Sequence, residues 1–194
     1  GTGMMSSAGG STKNAGFACF GSPSEILSDL RGSSEDEVFD LIEDRLLGLR
    51  ALRNLIGDMA LGYDPCGGYE IFGPNDDDLF EKCRDFIQRS NRELNSKLGL
   101  KETYTIADKD ISIFGLTGVR HMIKNTHEGA IDTGRMMFNL LKTATDLGVI
   151  IMNGMEVLSY HDNNKSVSVN FKNDTTIDCR KLHVATNGFA KQLM

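Results

Sequence analysis

The sequence predicts an α/β protein with α+β elements, built in more than one layer. Three observations point there. Apolar residues recur every three or four positions between recognisable caps, the signature of core-facing helices. After the last of these come short extended pieces separated by Asn-containing turns, which read as a β-meander. A final extended piece, "KLHV", runs into the small-residue turn "ATNG" that ends at Gly188, and α/β sheets bind ligands at the carboxyl ends of such strands.

At 194 residues the chain has room for one good core or two small domains. Its formal charge of −6, with acids and bases interspersed, lacks the basic stripe of a nucleic-acid face. No apolar run approaches the roughly 20 residues of a membrane span, and the N-terminus lacks the basic and apolar blocks of a secretory signal. Cys19, Cys66, Cys83 and Cys179 are widely spaced with no C-x-x-C pair, so they read as free thiols in a reducing compartment. A cytoplasmic location is expected, and no metal site.

Taken in order, "GTGMMSSAGG" imitates a dinucleotide fingerprint, but no strand precedes it and Ser stands in the third glycine position; it reads as a flexible start. "STKNAG" follows, Ser11, Thr12, Lys13, Asn14, Ala15 and Gly16, small residues that let a backbone approach another strand, a helix or a flat ligand. Ser34 and Glu37 form a capping box for a helix whose stripe is Val38, Leu41, Ile42, Leu46, Leu49, Leu52 and Ile56, with Gly57 as its stop. "CGGYEIFG" is a strand bracketed by glycines. A second long helix starts at Pro74 and Asn75, with Leu79, Phe80, Cys83, Phe86, Ile87, Leu94 and Leu98 on its apolar side. Asp76, Asp77 and Asp78 fall in its first turn, where exposed amides and the helix dipole favour negative charge. Asp132 or Thr133 caps a third helix, lined by Met137, Leu140, Leu141, Ala144 and Leu147 and ended by Gly148. "VIIMNG", "MEVLSYH", "SVSVNF" and "TTIDC" are four extended pieces, with turns at Asn163-Asn164 and Asn173-Asp174.

Chemistry has two candidate places in this pattern, residues 11–16 and the turn at 184–188. Either is a tight connection or a binding loop. His121, His127, His161 and His183 share no metal-ligand spacing; His161 in the meander and His183 in a buried-looking strand read as structural. His127, beside Glu128 in a polar loop, is the one candidate acid or base.

The residues also carry a resemblance. "GGSTKNAGFACFGS" resembles the second flavin-contacting segment of the D-amino-acid oxidase/glycine oxidase (DAO) family of FAD-dependent oxidoreductases, where a GAS-x-[RK]-NAG pattern follows the second strand of the nucleotide fold. "EGAIDTGRMMFNLLKTATDLGVIIMNGMEVLSY" is similar to that family's E-G-x-[IV]-D element, helix and paired strands. "KLHVATNGFAKQLM" is similar to its later strand and A-T-x-G turn. The segments come in the family's order, and the likeness is loosest over residues 60–125.

The resemblance implies a partial FAD-binding nucleotide fold with a β-meander, over residues 1–62 and 128–194, and part of a substrate-side domain over 63–127. It implies FAD as cofactor. Ser11, Thr12, Lys13, Asn14, Ala15 and Gly16 would lie along the flavin ring and ribityl–pyrophosphate chain. Val157 would offer main-chain contacts to adenine, and Ala185, Thr186 and Gly188 would approach the pyrophosphate. It assigns no catalytic residue. The family's opening G-x-G-x-x-G unit does not precede Ser11, and its later substrate segments do not follow Met194, so an internal fragment is expected. The parent would oxidise a small amine or amino acid by hydride transfer to flavin. The alternatives are 2-hydroxy-acid oxidation on the same fold, or a non-catalytic remnant that associates through an exposed sheet edge.

Overall fold

The computed structural model describes residues 9–186. Its contacts divide the chain into two compact units, residues 14–140 and, among the described residues, 9–13 with 141–186. Helices and strands mix, as the sequence predicts.

In the unit 14–140, β1 (Phe17–Ala18) pairs antiparallel with β5 (Gly129–Ala130), Phe17 opposite Ala130. A short helix that the periodicity does not announce, α1 (Pro23–Asp29), starts at Ser22, whose side chain accepts from Glu25 N, with Pro23 at the first helical position. α2 (Glu35–Ile56) carries the expected capping box: Glu37 N donates to Ser34 Oγ at 3.3 Å and Ser34 N donates to Glu37 Oε2 at 2.9 Å. It stops at Gly57, φ 90°. The single turn α3 (Asp58–Leu61) is tied back by the Arg53–Asp58 fork at 2.7 and 2.8 Å.

One expectation for α2 is corrected. Val38, Ile42 and Leu46 are buried, but Leu41 is 43% exposed and Phe39 takes its place at 1%. The stripe that meets the core is centred between positions 38/39 and 42/46, so Leu41 falls on its flank.

β2 (Gly68–Phe72), β3 (Tyr104–Ile106) and β4 (His121–Asn125) form an antiparallel sheet in the order β2-β4-β3, with Tyr69 opposite Lys124 and Tyr104 opposite Asn125. Between β2 and β3 runs α4 (Asp77–Leu98), which buries Phe80, Cys83, Phe86 and Leu94. The three acids at its start have protein partners or positions that suit the helix end. Asp76 accepts Gly73 N at 2.8 Å, Asp77 pairs with Arg120, and Asp78 sits in the first turn. The Asn91 carboxamide joins α4 to β3 as a surrogate strand, accepting Tyr104 N and donating to Tyr104 O, each at 2.9 Å. One core gathers Phe20, Ile26, Phe39, Ile42, Phe72, Phe80, Leu94, Tyr104 and Ile123 from the helices and sheet. α5 (Thr133–Asp146) begins in this unit; Asp132 Oδ1 accepts Arg135 N at 2.9 Å, as its cap requires.

In the other unit, Gly148 follows α5 with φ 86°, and Leu147, expected on the helix's lining side, is 79% exposed. The meander is β6 (Val157–Asp162), β7 (Val167–Phe171) and β8 (Thr176–Cys179), antiparallel in that order. Its turns fall where the sequence puts them. Asn164 and Asp174 have φ of 69° and 61°, a conformation these two residue types tolerate, and Asp162 Oδ1 accepts Asn164 N at 2.8 Å. Val169 and Phe171 are its buried residues.

Two expected strands are absent from this unit. "VIIMNG" and "KLHV" are irregular, with Ile150 83% and Val184 42% exposed, and His183 is exposed rather than buried. An extended segment becomes a strand when a neighbour takes its N–H and C=O groups, and the described residues pair no strand with either piece. Among the described residues no helix is long and apolar enough to cross a membrane.

Candidate functional site

The acid that shapes the unit 14–140 is Glu128. After β4 the chain turns sharply. Asn125 Oδ1 accepts His127 N at 3.0 Å, and the His127 ring turns away to meet the Lys101 carbonyl at 3.1 Å. Glu128 instead enters the fold, 7% exposed. Its Oε1 accepts the backbone N–H of Phe20 at 2.9 Å and of Gly21 at 3.3 Å, residues more than a hundred positions earlier. Gly68 makes room for it: a Cβ built there would overlap Glu128 Oε2. Nearby, Glu70 accepts from the Ser22 and Ser24 hydroxyls and from Ser24 N. Tyr104 closes the back of the site by donating its hydroxyl to Gly21 O at 2.6 Å.

Two cavities meet at Glu128. The larger, about 540 Å³, is walled by Phe17, Tyr69 and Phe114, by Cys19 and Cys66, by the small residues Gly67, Gly68, Gly129 and Ala130, and by Ser22, Glu25 and Glu128. Tyr69 and Phe114 meet edge to face, centroids 5.0 Å apart, and Lys124 Nζ sits 5.2 Å from the Tyr69 ring. The smaller, about 210 Å³, shares Ser22, Gly68, Tyr69 and Glu128 and adds Glu70, Asn125 and other residues. The larger is of the size that takes a small molecule, mostly apolar with a few polar groups.

Burial raises the Glu128 pKa above the usual carboxylate value, and the Phe20 and Gly21 amides pull it part of the way back. The folded state therefore holds that proton more tightly than the unfolded chain. Stability contributed by the protonated form is complete below the ordinary carboxylate value and falls as pH rises through the raised native one. Urea unfolding across that window is expected to show the decline in the parent and a flatter curve in Glu128→Gln; parallel curves would contradict it.

The cysteines are free. Desolvation pushes Cys83 up to about 12, and burial followed by the charges of Glu128 and Glu25 raises Cys19. A thiol reagent at mildly alkaline pH is expected to modify exposed Cys66 first, Cys19 more slowly and buried Cys83 only on unfolding, read by peptide mass mapping. Early labelling of Cys83 would refute this ordering.

The residues singled out from sequence lie in several places. Ser11, Thr12 and Lys13 form a turn in which Thr12 Oγ1 donates to Gly9 O and Lys13 N to Gly10 O, both at 3.2 Å. Asn14 Oδ1 accepts Gly16 N at 2.9 Å. Ser11, Lys13, Asn14 and Ala15 are exposed, whereas Gly16 is buried with φ 74°. The space beside Gly16 is taken by the protein itself: Ile131 N donates to Gly16 O at 2.8 Å, and a Cβ would overlap the Ile131 carbonyl oxygen. Val157 opens β6 opposite Phe171. Ala185 and Thr186 are exposed in irregular chain, and Gly188 lies outside the described residues. His121 is structural, stacked on Phe80 at 3.8 Å and paired with Asp108 at 2.8 Å. In the sequence Glu128 figures as the neighbour of His127 and as the first residue of the E-G-x-[IV]-D element, without a role of its own, and no local pattern singles out Glu70 or Asn125.

A family model described as FAD dependent oxidoreductase matches residues 5–194. No curated protein matches the chain. Among solved structures it is similar to glycine oxidase from Geobacillus kaustophilus, at 15% identity and TM-score 0.67, over 96% of this chain and 47% of that one. It is similar to glycine oxidase from Bacillus cereus ATCC 14579 at 17% identity and TM-score 0.63, over 94% and 48% of the two chains. L-amino acid deaminase from Proteus myxofaciens aligns at 16% identity and TM-score 0.61, over 84% and 36%. The chain thus spans about half the length of the glycine oxidases whose fold it shares.

Proposed function

Because the chain belongs to the FAD-dependent oxidoreductase family, we propose that the protein of which it forms all or part oxidises a small amine or amino acid with FAD as cofactor. The observation that carries this reading is the family match, which runs from residue 5 to residue 194. The donor chemistry of the exposed segment fits such a cofactor: a Ser11 hydroxyl, a Lys13 ammonium and an Asn14 carboxamide suit phosphate and ribityl oxygens, with Ala15 offering no bulk against a ring. In this reading Ser11, Thr12, Lys13, Asn14, Ala15 and Gly16 hold the cofactor, Gly16 by fixing the loop against Ile131. Val157 serves the adenine, and Ala185, Thr186 and Gly188 serve the pyrophosphate. Residues 1–62 and 128–194 form the cofactor side and 63–127 the substrate side.

FAD, when bound, supplies the acceptor for the two electrons and the hydride lost by the substrate carbon. The chain's own part is to bind, orient and exclude water. Two carboxylates and no Lys, Arg or His stand among the residues that wall the larger cavity. That balance favours a cationic amine over an anionic 2-hydroxy acid. Its aromatic walls suit an ammonium carried on an apolar body.

Incubation of the purified chain with excess FAD, followed by gel filtration, tests the cofactor assignment. Flavin absorption is expected to co-elute with the protein and to weaken in Lys13→Ala. A colourless protein peak would overturn the assignment for this chain and favour the non-catalytic reading.

A further inference from the structure

The meander gathers cations at one of its ends. β6 runs toward that end, β7 leaves from it and β8 returns to it, since Asp162 stands opposite Val167 and Val167 opposite Cys179. The β6–β7 turn and the chain leaving β8 therefore emerge together. Their residues line an open pocket of about 310 Å³, with Lys165 and Ser166 from the turn and Arg180, Lys181 and His183 from the exit. The turn is held in shape from within: Asn163 N donates to Ser166 O and Asn164 N to Asp162 Oδ1, each at 2.8 Å.

Three of these cations lack the partner that the chain supplies elsewhere. Acids outnumber bases, 27 Asp and Glu against 21 Lys and Arg, and in the same unit Lys142 pairs with Asp146 and Lys172 with Glu156. Lys165, Arg180 and Lys181, all exposed, have no ion pair among the described residues. Asp162 is the one acid that lines the pocket, and its Oδ1 already serves Asn164 N. With His183 neutral, three cations against one carboxylate leave the pocket with a net charge of +2. Cations held together without counter-charge repel one another, and an anion placed among them relieves that cost.

We propose that this pocket binds a small phosphate monoester. Such a group carries close to two negative charges at neutral pH and offers three acceptor oxygens. Its charge matches that of the pocket, where a carboxylate would answer only half. Arg180 supplies a planar fork for two phosphoryl oxygens, and Lys165 and Lys181 supply point charges. The Ser166 hydroxyl is a further donor. The volume lies at the lower limit for ligand pockets, which suits a phosphoryl group on a small body. The site is separate from the cofactor reading: Val157, which that reading gives to adenine, opens β6 at its other end, about 16 Å of strand from Asp162.

The test titrates the full chain, isotopically labelled and without flavin, with glycerol phosphate at constant ionic strength. Saturable shifts of the backbone amides are expected at residues 164–167 and 180–183. Acetate over the same range is expected to shift them far less. Arg180→Gln and Lys165→Gln should each weaken glycerol phosphate binding about three- to tenfold, the loss of one charge-assisted contact. Lys172→Gln is the control, a lysine of the same unit outside the pocket, and should bind as the parent does. Shifts that never saturate, equal shifts with acetate, or equal weakening in Lys172→Gln would overturn the site. Shifts at residues 11–13 in place of 164–167 would overturn it too, by placing the phosphate on the segment assigned to the cofactor. The substituted side chains are exposed, and the parent titration decides alone if a variant fails to fold. Because FAD retention is measured separately, failure of the cofactor assignment leaves this result standing.

Discussion

Gly16→Ala is expected to lower the stability of the unit 14–140 by about 3 kcal/mol or more, adding a left-handed backbone penalty to a backbone overlap. Gly16 has φ 74°, which costs an L-residue about 1–2 kcal/mol by itself. The added methyl would also strike the Ile131 carbonyl oxygen, which is main chain and has no rotamer to change. To relieve the clash the Gly16 O···H–N Ile131 bond must open, and with it the adjoining β1–β5 pair. Urea unfolding of the full chain measures the effect. Gly32→Ala is the control, since a Cβ there meets nothing and φ is ordinary; it should change stability by no more than about 0.5 kcal/mol. A Gly16→Ala chain as stable as that control would show that the approach of β1 to residue 131 is looser than described.

That glycine also shows where reading the sequence succeeds and where it stops. The small residues at 14–16 signal a close approach, but sequence offers a strand, a helix or a flat ligand equally. The fold assigns Gly16 to main chain at Ile131, a partner 115 positions away that no local pattern can reveal. Elements with local causes were legible: the capping box at Ser34, the stop at Gly57 and the turns at Asn164 and Asp174 depend on neighbours within a few residues. "VIIMNG" was misread because its apolar run states a preference for extended chain, while strand formation is decided by a partner elsewhere. The candidate site was the least legible part. Glu128 acquires its meaning from Phe20, Gly21 and Gly68, which are scattered in sequence and meet through the β1–β5 and β2–β4 pairings.

Glu128→Ala carries the second large effect. It leaves the Phe20 and Gly21 amides without their acceptor and opens a void beside both cavities, a loss of about 3 kcal/mol from two unmet donors and lost packing. Gly68→Ala should cost about as much by a related route, because its new methyl would occupy the position of Glu128 Oε2 and push the carboxylate off the same two amides. The two substitutions therefore should not add. Once Glu128 is Ala the methyl at position 68 enters vacated space, and the double variant should be no less stable than Glu128→Ala alone, a coupling of about 2–3 kcal/mol. A purely local cost of alanine at position 68, such as strand distortion, would persist in the Glu128→Ala background and make the two losses sum. Denaturant unfolding of the four proteins distinguishes these outcomes. Additive losses would detach Gly68 from Glu128 and remove the glycine from the site.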